Sequence, residues 1–371
     1  MVRTTTFLDI IKERQTIPWT ADLEYWIAGR EQDGTADPAW RTEVGYLDLC
    51  KSLGVFPYYK YDQFWCGKPE YDRTVQVLID QGPKHIGTTW KTPVGTISES
   101  INFMDGSCSW AHTKHAVQGA EDLIVFEYLI EHRRMVPQFI NDYPEQLKRW
   151  KQFGGLPALA MPRGPLSALF YEWAGVVNGV YLLMDYPDRM KHIFRMMTEQ
   201  EKPLLQSLAK LQPPLVHFAD NVSGDNMSGY FDQYMRGVYE ERLQILHPAG
   251  IPCAVHLDGV INDIAGKVAD VGIDVIEALT PAPGGTVEVE DIRTIVGDDS
   301  VVLWGGVPGT MFTSPYTWDD VRRQIDRTLA AWKGTPFVIG VADQVPADGN
   351  IEIVKNISEY LQEKADYLDG I

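Results

Sequence analysis

CAVHLDGVINDIAGKVADVGIDVIEAL, Cys253 to Leu279, reads as a strand, a helix and a second strand. Cys253-Ala-Val is a short apolar run ending in His256-Leu-Asp258-Gly259. Val260–Val271 has apolar residues at helical spacing, and Val275-Ile then leads to Glu277. Strands apolar on both faces and joined by a helix belong to a parallel sheet covered on both sides. The same alternation continues outward. Leu156–Met161, Leu215–Phe218, Val301–Trp304 and Phe337–Val341 read as strands. Asp188–Lys210, Tyr230–His247, Val289–Val296, Thr317–Lys333 and Gly349–Lys364 read as helices between and after them. So many units predict an α/β fold of the (β/α)₈ TIM-barrel type, with an open doubly wound sheet as the alternative. No GxGxxG or GxxxxGK[ST] follows any strand, which argues against a nucleotide site.

Residues 1–371 are read as one barrel domain, with 1–150 carrying a Trp-rich extension and the first strands. That early region is irregular, with short strands expected at Val55–Lys60 and Val94–Ile97. A helix is expected at Ala120–Glu131, opening on Glu121 and Asp122 where the helix dipole favours acids. The balance of 33 Lys and Arg against 51 Asp and Glu gives a formal net charge of −18, which repels phosphate backbones and anionic lipid. Neither nucleic acid nor a membrane surface is therefore an expected partner. Four cysteines without a CxxC pair offer no disulfide framework and no Cys₄ zinc site. The first residues lack an apolar secretory run, and Ala168–Met184 is broken by Glu172 and Asn178, so a soluble cytoplasmic protein is expected.

In a parallel barrel the loops at the carboxyl ends of the strands share one mouth. Read to their ends, the predicted strands deliver Asp220-Asn221, His256-Leu-Asp258, Glu277, Gly305-Gly306 and Asp343-Gln344. Plainer roles exist for several. Asp220 and Asp343 suit caps or turns, Asp258-Gly259 suits a turn, and a strand histidine can be satisfied by a carbonyl. Gly305 and Gly306 either let the backbone turn or leave room for a ligand. Glu277, between Ile276 and Ala278 in a buried strand, demands a cation, a metal or a donor. Because alternate strand residues point the same way, His256 and Asp258 can face the mouth together, with Glu277 on the next strand. That set suits a divalent metal, Zn²⁺ first, or a metal-free acid/base cluster. His112, His115, His192 and His247 read as surface or capping residues.

The ordered motifs Asp220-Asn221, His256-Leu-Asp258-Gly259, Gly272-Ile-Asp274-Val-Ile-Glu277, Trp304-Gly305-Gly306 and Gly340-Val-Ala-Asp343-Gln-Val-Pro346 resemble the uroporphyrinogen decarboxylase superfamily over roughly 156–363. Thr92-Pro-Val-Gly95-Thr and Val117-Gln-Gly-Ala-Glu121-Asp122-Leu look like its corrinoid-system methyltransferases. The decarboxylase branch implies paired arginines near the N-terminus; here Tyr25-Trp-Ile-Ala-Gly-Arg30 has one. The thiol-methylating branch implies His-x-Cys and a last-strand cysteine. This chain has Asp258 at the first place and no cysteine in Gly340–Pro346. The resemblance therefore implies a methyltransferase that moves a methyl group from a small methylated substrate, a methoxylated aromatic above all, to the Co(I) corrinoid of a partner protein. A metal-free decarboxylase-like lyase and a methylcorrinoid:thiol methyltransferase are the alternatives. On this reading His256 and Glu277 hold zinc, with Asp258 or Asp343 completing the set. Asp220, Asn221, Asp258 and Asp343 act on the substrate, and Trp19, Trp26, Trp65 and Trp90 cover the mouth with Gly305 and Gly306 beside it. The partners implied are a corrinoid protein and a methylated small molecule; a homodimer is allowed.

Overall fold

The computed structural model describes residues 6–12, 17–138 and 143–364. In chain order its strands are β1 (Trp19–Thr20), β2 (Gly67–Tyr71), β3 (Gln76–Gly82), β4 (His85–Thr92), β5 (Gly95–Met104), β6 (Ser109–Lys114) and β7 (Arg133–Pro137). They continue with β8 (Leu159–Met161), β9 (Val216–Val222), β10 (Cys253–Leu257), β11 (Val275–Leu279), β12 (Val302–Pro308) and β13 (Phe337–Ala342).

Seven of these form one parallel sheet in the order β1-β13-β12-β11-β10-β9-β8. The gap between β8 and β1 is closed by the irregular segment 55–66. Its Phe56 N–H donates to Trp19 O at 2.8 Å, Ala158 N–H to Tyr58 O at 2.7 Å, and Cys66 N–H to Ala160 O at 2.8 Å. The fold is thus a TIM-type barrel whose second position is a hydrogen-bonded loop. The expected strand at Val55–Lys60 occupies that position without regular strand geometry. Helices cover the outside, the longest being Pro187–Leu211, Trp318–Trp332 and Ile351–Glu363. Thr317 and Asp320 start the second of these with a reciprocal capping box. The apolar stretch Ala168–Met184 is divided among short helices, and no helix of the described residues is long and apolar enough to cross a membrane.

The alternating pattern sets the interior. Leu215 and Ala219 on or beside β9, Ala254 on β10, Val275 on β11, Val302 and Trp304 on β12 and Val338 on β13 pack inside the barrel. Trp304 plugs it, stacking on Phe7 at 4.7 Å and meeting Tyr58 edge-on at 4.4 Å. Its indole N–H donates to Thr20 Oγ1 at 2.7 Å. Apolar burial of this kind contributes about 25 cal/mol per Å². The residues next along the same faces, above the plug, are polar.

The early region holds more β structure than its sequence suggests. β3, β4, β5 and β6 make a four-stranded antiparallel sheet, and β2 pairs with β7. The expected strand at Val94–Ile97 is the start of β5, after a two-residue hairpin turn at Pro93-Val94. Trp90 on β4 packs on Trp173 at 5.5 Å and anchors this sheet to the helical layer.

Candidate functional site

Three buried or half-buried polar side chains follow the inward pattern on adjacent strands: His217 on β9, His256 on β10 and Glu277 on β11. Register places His217 beside Ala254, and His256 beside Glu277. His256 Nδ1 lies 2.6 Å from Glu277 Oε2, and His217 Nε2 lies 3.3 Å from the same oxygen. Tyr58 O–H donates to the other carboxylate oxygen, Oε1, at 3.2 Å. On its far side, His256 Nε2 faces Asp343 Oδ1 at 3.7 Å and Asp258 Oδ1 at 4.0 Å. These groups come from the ends of β9, β10, β11 and β13, so they share one mouth.

Burial alone would depress the His256 imidazole. The carboxylates of Glu277, Asp343 and Asp258 outweigh it and raise its pKa to about 10. Burial would push Glu277 up, but His256 and His217 hold it far below the ordinary carboxylate range. Asp343 is pushed up to about 6 by burial and by the Glu277 and Asp258 charges, against the pull of His256. Asp22, just past β1, is raised well above the usual range by burial and by Asp343, while Tyr59 O–H donates to it.

The cavity over these groups has a volume of about 510 Å³. Aromatic side chains, among them Tyr25, Tyr58, Tyr59, Phe64, Trp65 and Trp110, line it together with Asp22, Glu24, Arg163 and Asn221. The β5–β6 turn of the outer sheet reaches over the mouth and contributes Cys108, Ser109 and Trp110.

At this mouth two trios place one ligand atom each within 4.8 Å of one another: His217, His256 and Glu277, and His256, Asp258 and Asp343. The first fits a metal better. Both ring nitrogens of His217 are buried; Nε2 has only the 3.3 Å contact with Glu277, short of good hydrogen-bond geometry, and Nδ1 has no partner among the described residues, an expense that a bound cation would reduce. Two imidazoles and one carboxylate with a free position is also a donor set of catalytic zinc sites. Asp258 therefore sits on the opposite side of His256 from Glu277, and the third member beside His256 and Glu277 is His217. The sequence reading did not single out that residue. The available signal was parity: His217 lies three residues before Asp220, so one of the two must face away from the mouth.

Asp220 is the one that faces away, a correction to its expected role on the substrate. Its Oδ1 accepts from Gly164 N–H at 2.7 Å and its Oδ2 from Tyr239 O–H at 2.9 Å. Arg242, itself bidentate to Glu201, stands 3.6 Å away. Asn221, in the left-handed region at φ 49°, does reach the cavity, where its Oδ1 accepts from Arg163 Nη1 at 2.9 Å. Of the four tryptophans, Trp65 lines the cavity. Trp19 is buried toward the opposite end of the barrel, Trp26 packs on Trp40 at 5.2 Å, and Trp90 on Trp173, so these three do not cover the mouth. Gly305 and Gly306 are also corrected. A Cβ at Gly305 would lie 2.4 Å from Leu279 O, and one at Gly306 2.6 Å from Thr328 Cγ2. Both glycines let neighbouring elements approach rather than a ligand.

A methyltransferase from Methanosarcina mazei superposes on this structure with a TM-score of 0.60 and 16% identity, over 97% of this chain and 99% of that one. The chain has that methyltransferase's fold. A B12-independent methionine synthase from Shewanella sp. W3-18-1 aligns with a TM-score of 0.43 and 14% identity, over 64% of this chain and 72% of that one. No protein-family profile and no curated protein matches the sequence.

Proposed function

We propose that this chain is a metal-assisted methyltransferase that takes the methyl group of a methyl ether, above all a methoxylated aromatic, and delivers it to the Co(I) corrinoid of a separate protein. The observation that carries the reading is the convergence of His217, His256 and Glu277 at the floor of an aromatic-lined cavity, with the buried His217 ring poorly satisfied by protein partners. Those three side chains would hold Zn²⁺. When bound, the ion supplies Lewis acidity that offsets the negative charge left on the donor oxygen. Tyr58 holds Glu277 through its other carboxylate oxygen, Oε1. Asp343, its pKa raised to about 6, lies 3.7 Å from His256 and is placed to pass a proton to the departing oxygen. In the overall transfer the carbon–oxygen bond breaks, the oxygen keeps its electron pair, and Co(I) supplies the pair for the new carbon–cobalt bond. The likeness to the Methanosarcina methyltransferase supports this at the level of fold.

The metal-free lyase remains a second reading, because an imidazolium held by three carboxylates is also an acid/base cluster. Elemental analysis followed by a Co(I)-methylation assay, with methoxylated aromatics, methylamines and methanol as donors, separates the two. We expect bound zinc and methylcobalt formation from a methoxyarene. Metal-free protein at full activity, or no transfer from any methyl ether, contradicts the proposal.

A further inference from the structure

The cavity is electrically lopsided. Asp22, Glu24, Glu277 and Asp343 line it, and Arg163 is the one guanidinium or ammonium among the lining residues described. Arg163 follows β8 and is held from behind. Its Nη1 donates to Ala219 O at 2.5 Å and to Asn221 Oδ1 at 2.9 Å, and its Nε stands 3.5 Å from Glu172 Oε1. Its guanidinium lies 6.0 Å from the Trp65 ring centre and 5.5 Å from that of Tyr171. The second terminal nitrogen, Nη2, makes no hydrogen bond with any described residue, so a fixed and partly desolvated donor is left for a ligand. Asp220 supports the arrangement by holding the backbone of Gly164.

We infer that Arg163 anchors a carboxylate carried on the substrate's aromatic ring, so that the donor is a methoxylated aromatic acid rather than a neutral ether; this rests on the function proposed above. A planar guanidinium binds carboxylate with charge-assisted hydrogen bonds, and flanking rings restrict it to one plane. The acids at the opposite wall make orientation one-way. Glu24 and Asp343 disfavour a second carboxylate on the rest of the lining, whereas an uncharged ether oxygen is tolerated there. Along β9, Ala219 lies two residues beyond His217, about 6.6 Å at the usual strand rise. A benzene ring can bridge a separation of that order.

The test compares 3-methoxybenzoate with 3-methoxybenzyl alcohol as methyl donors, and 3-hydroxybenzoate with 3-hydroxybenzyl alcohol as ligands in calorimetry of the zinc-loaded protein. The wild type should prefer the acid in both pairs. In Arg163→Gln the acid-to-alcohol ratio of kcat/KM, and of binding constants, should fall roughly 10–100-fold, with Arg163→Lys in between. An unchanged ratio, or a wild type with no preference for the acid, overturns the inference. A ratio that falls in calorimetry while neither donor yields methylcobalt supports the carboxylate anchor and removes the methyl-transfer reading instead.

Discussion

At the residue scale, parity along a strand decides which polar groups do chemistry and which hold the scaffold. His217 and Asp220 belong to the same strand, yet one reaches the cavity floor and the other ties the Gly164 backbone to Tyr239. Glu277 was legible because an acid in an apolar strand needs a partner; His217 was not, because a histidine between Val216 and Phe218 passes for core. His247 gives a separate test. Its Nε2 lies 2.9 Å from Asp274 Oδ2, and that contact raises its pKa above the ordinary 6.5, against partial burial. Below pH 6.5 the imidazole is charged folded and unfolded, and the ion pair contributes in full. As pH rises through the elevated folded value, the contribution is lost. His247→Gln should therefore destabilise the protein by less than about 1 kcal/mol at pH 6, the pair being 38% and 25% exposed. In denaturant unfolding the gap from wild type should close at alkaline pH; an equal gap at pH 6 and pH 9 would refute the assignment.

At the element scale, the barrel strands were readable and the outer sheet was not. Cys253–Leu257 and Val275–Leu279 begin where the apolar runs predict, because continuous burial on both faces leaves one interpretation. β3 and β6 are mostly exposed and β4 and β5 mostly half-buried, with many Ser, Thr and Gly in β4 and β5, so neither continuous burial nor clean alternation marks them. Asp105-Gly106, between β5 and β6, was the local turn signal for a hairpin. This sheet assigns different work to its tryptophans. Trp90→Ala should cost about 3–5 kcal/mol in thermal unfolding by leaving a hole against Trp173. Trp110→Ala, at an exposed wall of the mouth, should instead raise KM for a methoxyarene by roughly 2–10-fold with stability nearly unchanged. The opposite pattern, or two variants that behave alike, would contradict this division.

At the scale of the whole molecule, the barrel gathers chemistry that the sequence scatters over more than three hundred residues. Asp22 after β1, Arg163 after β8, Asn221, His256, Glu277 and Asp343 meet at one mouth, under a roof from the antiparallel sheet. The plug of Phe7, Tyr58 and Trp304 closes the barrel beneath them and keeps the Glu277 side chain away from water. An interior this crowded makes a buried carboxylate depend on positive charge beside it, which His256 and His217 supply as they stand and a bound cation between them would supply on the proposed reading. The most direct test is zinc content and equilibrium zinc affinity of the purified protein beside His217→Ala and Glu277→Gln, with circular dichroism to establish folding. The predicted result is one tightly held zinc per wild-type chain, and affinity at least about tenfold weaker in each folded variant. Wild-type affinity in both variants, or a folded wild type that binds no divalent ion, would contradict it.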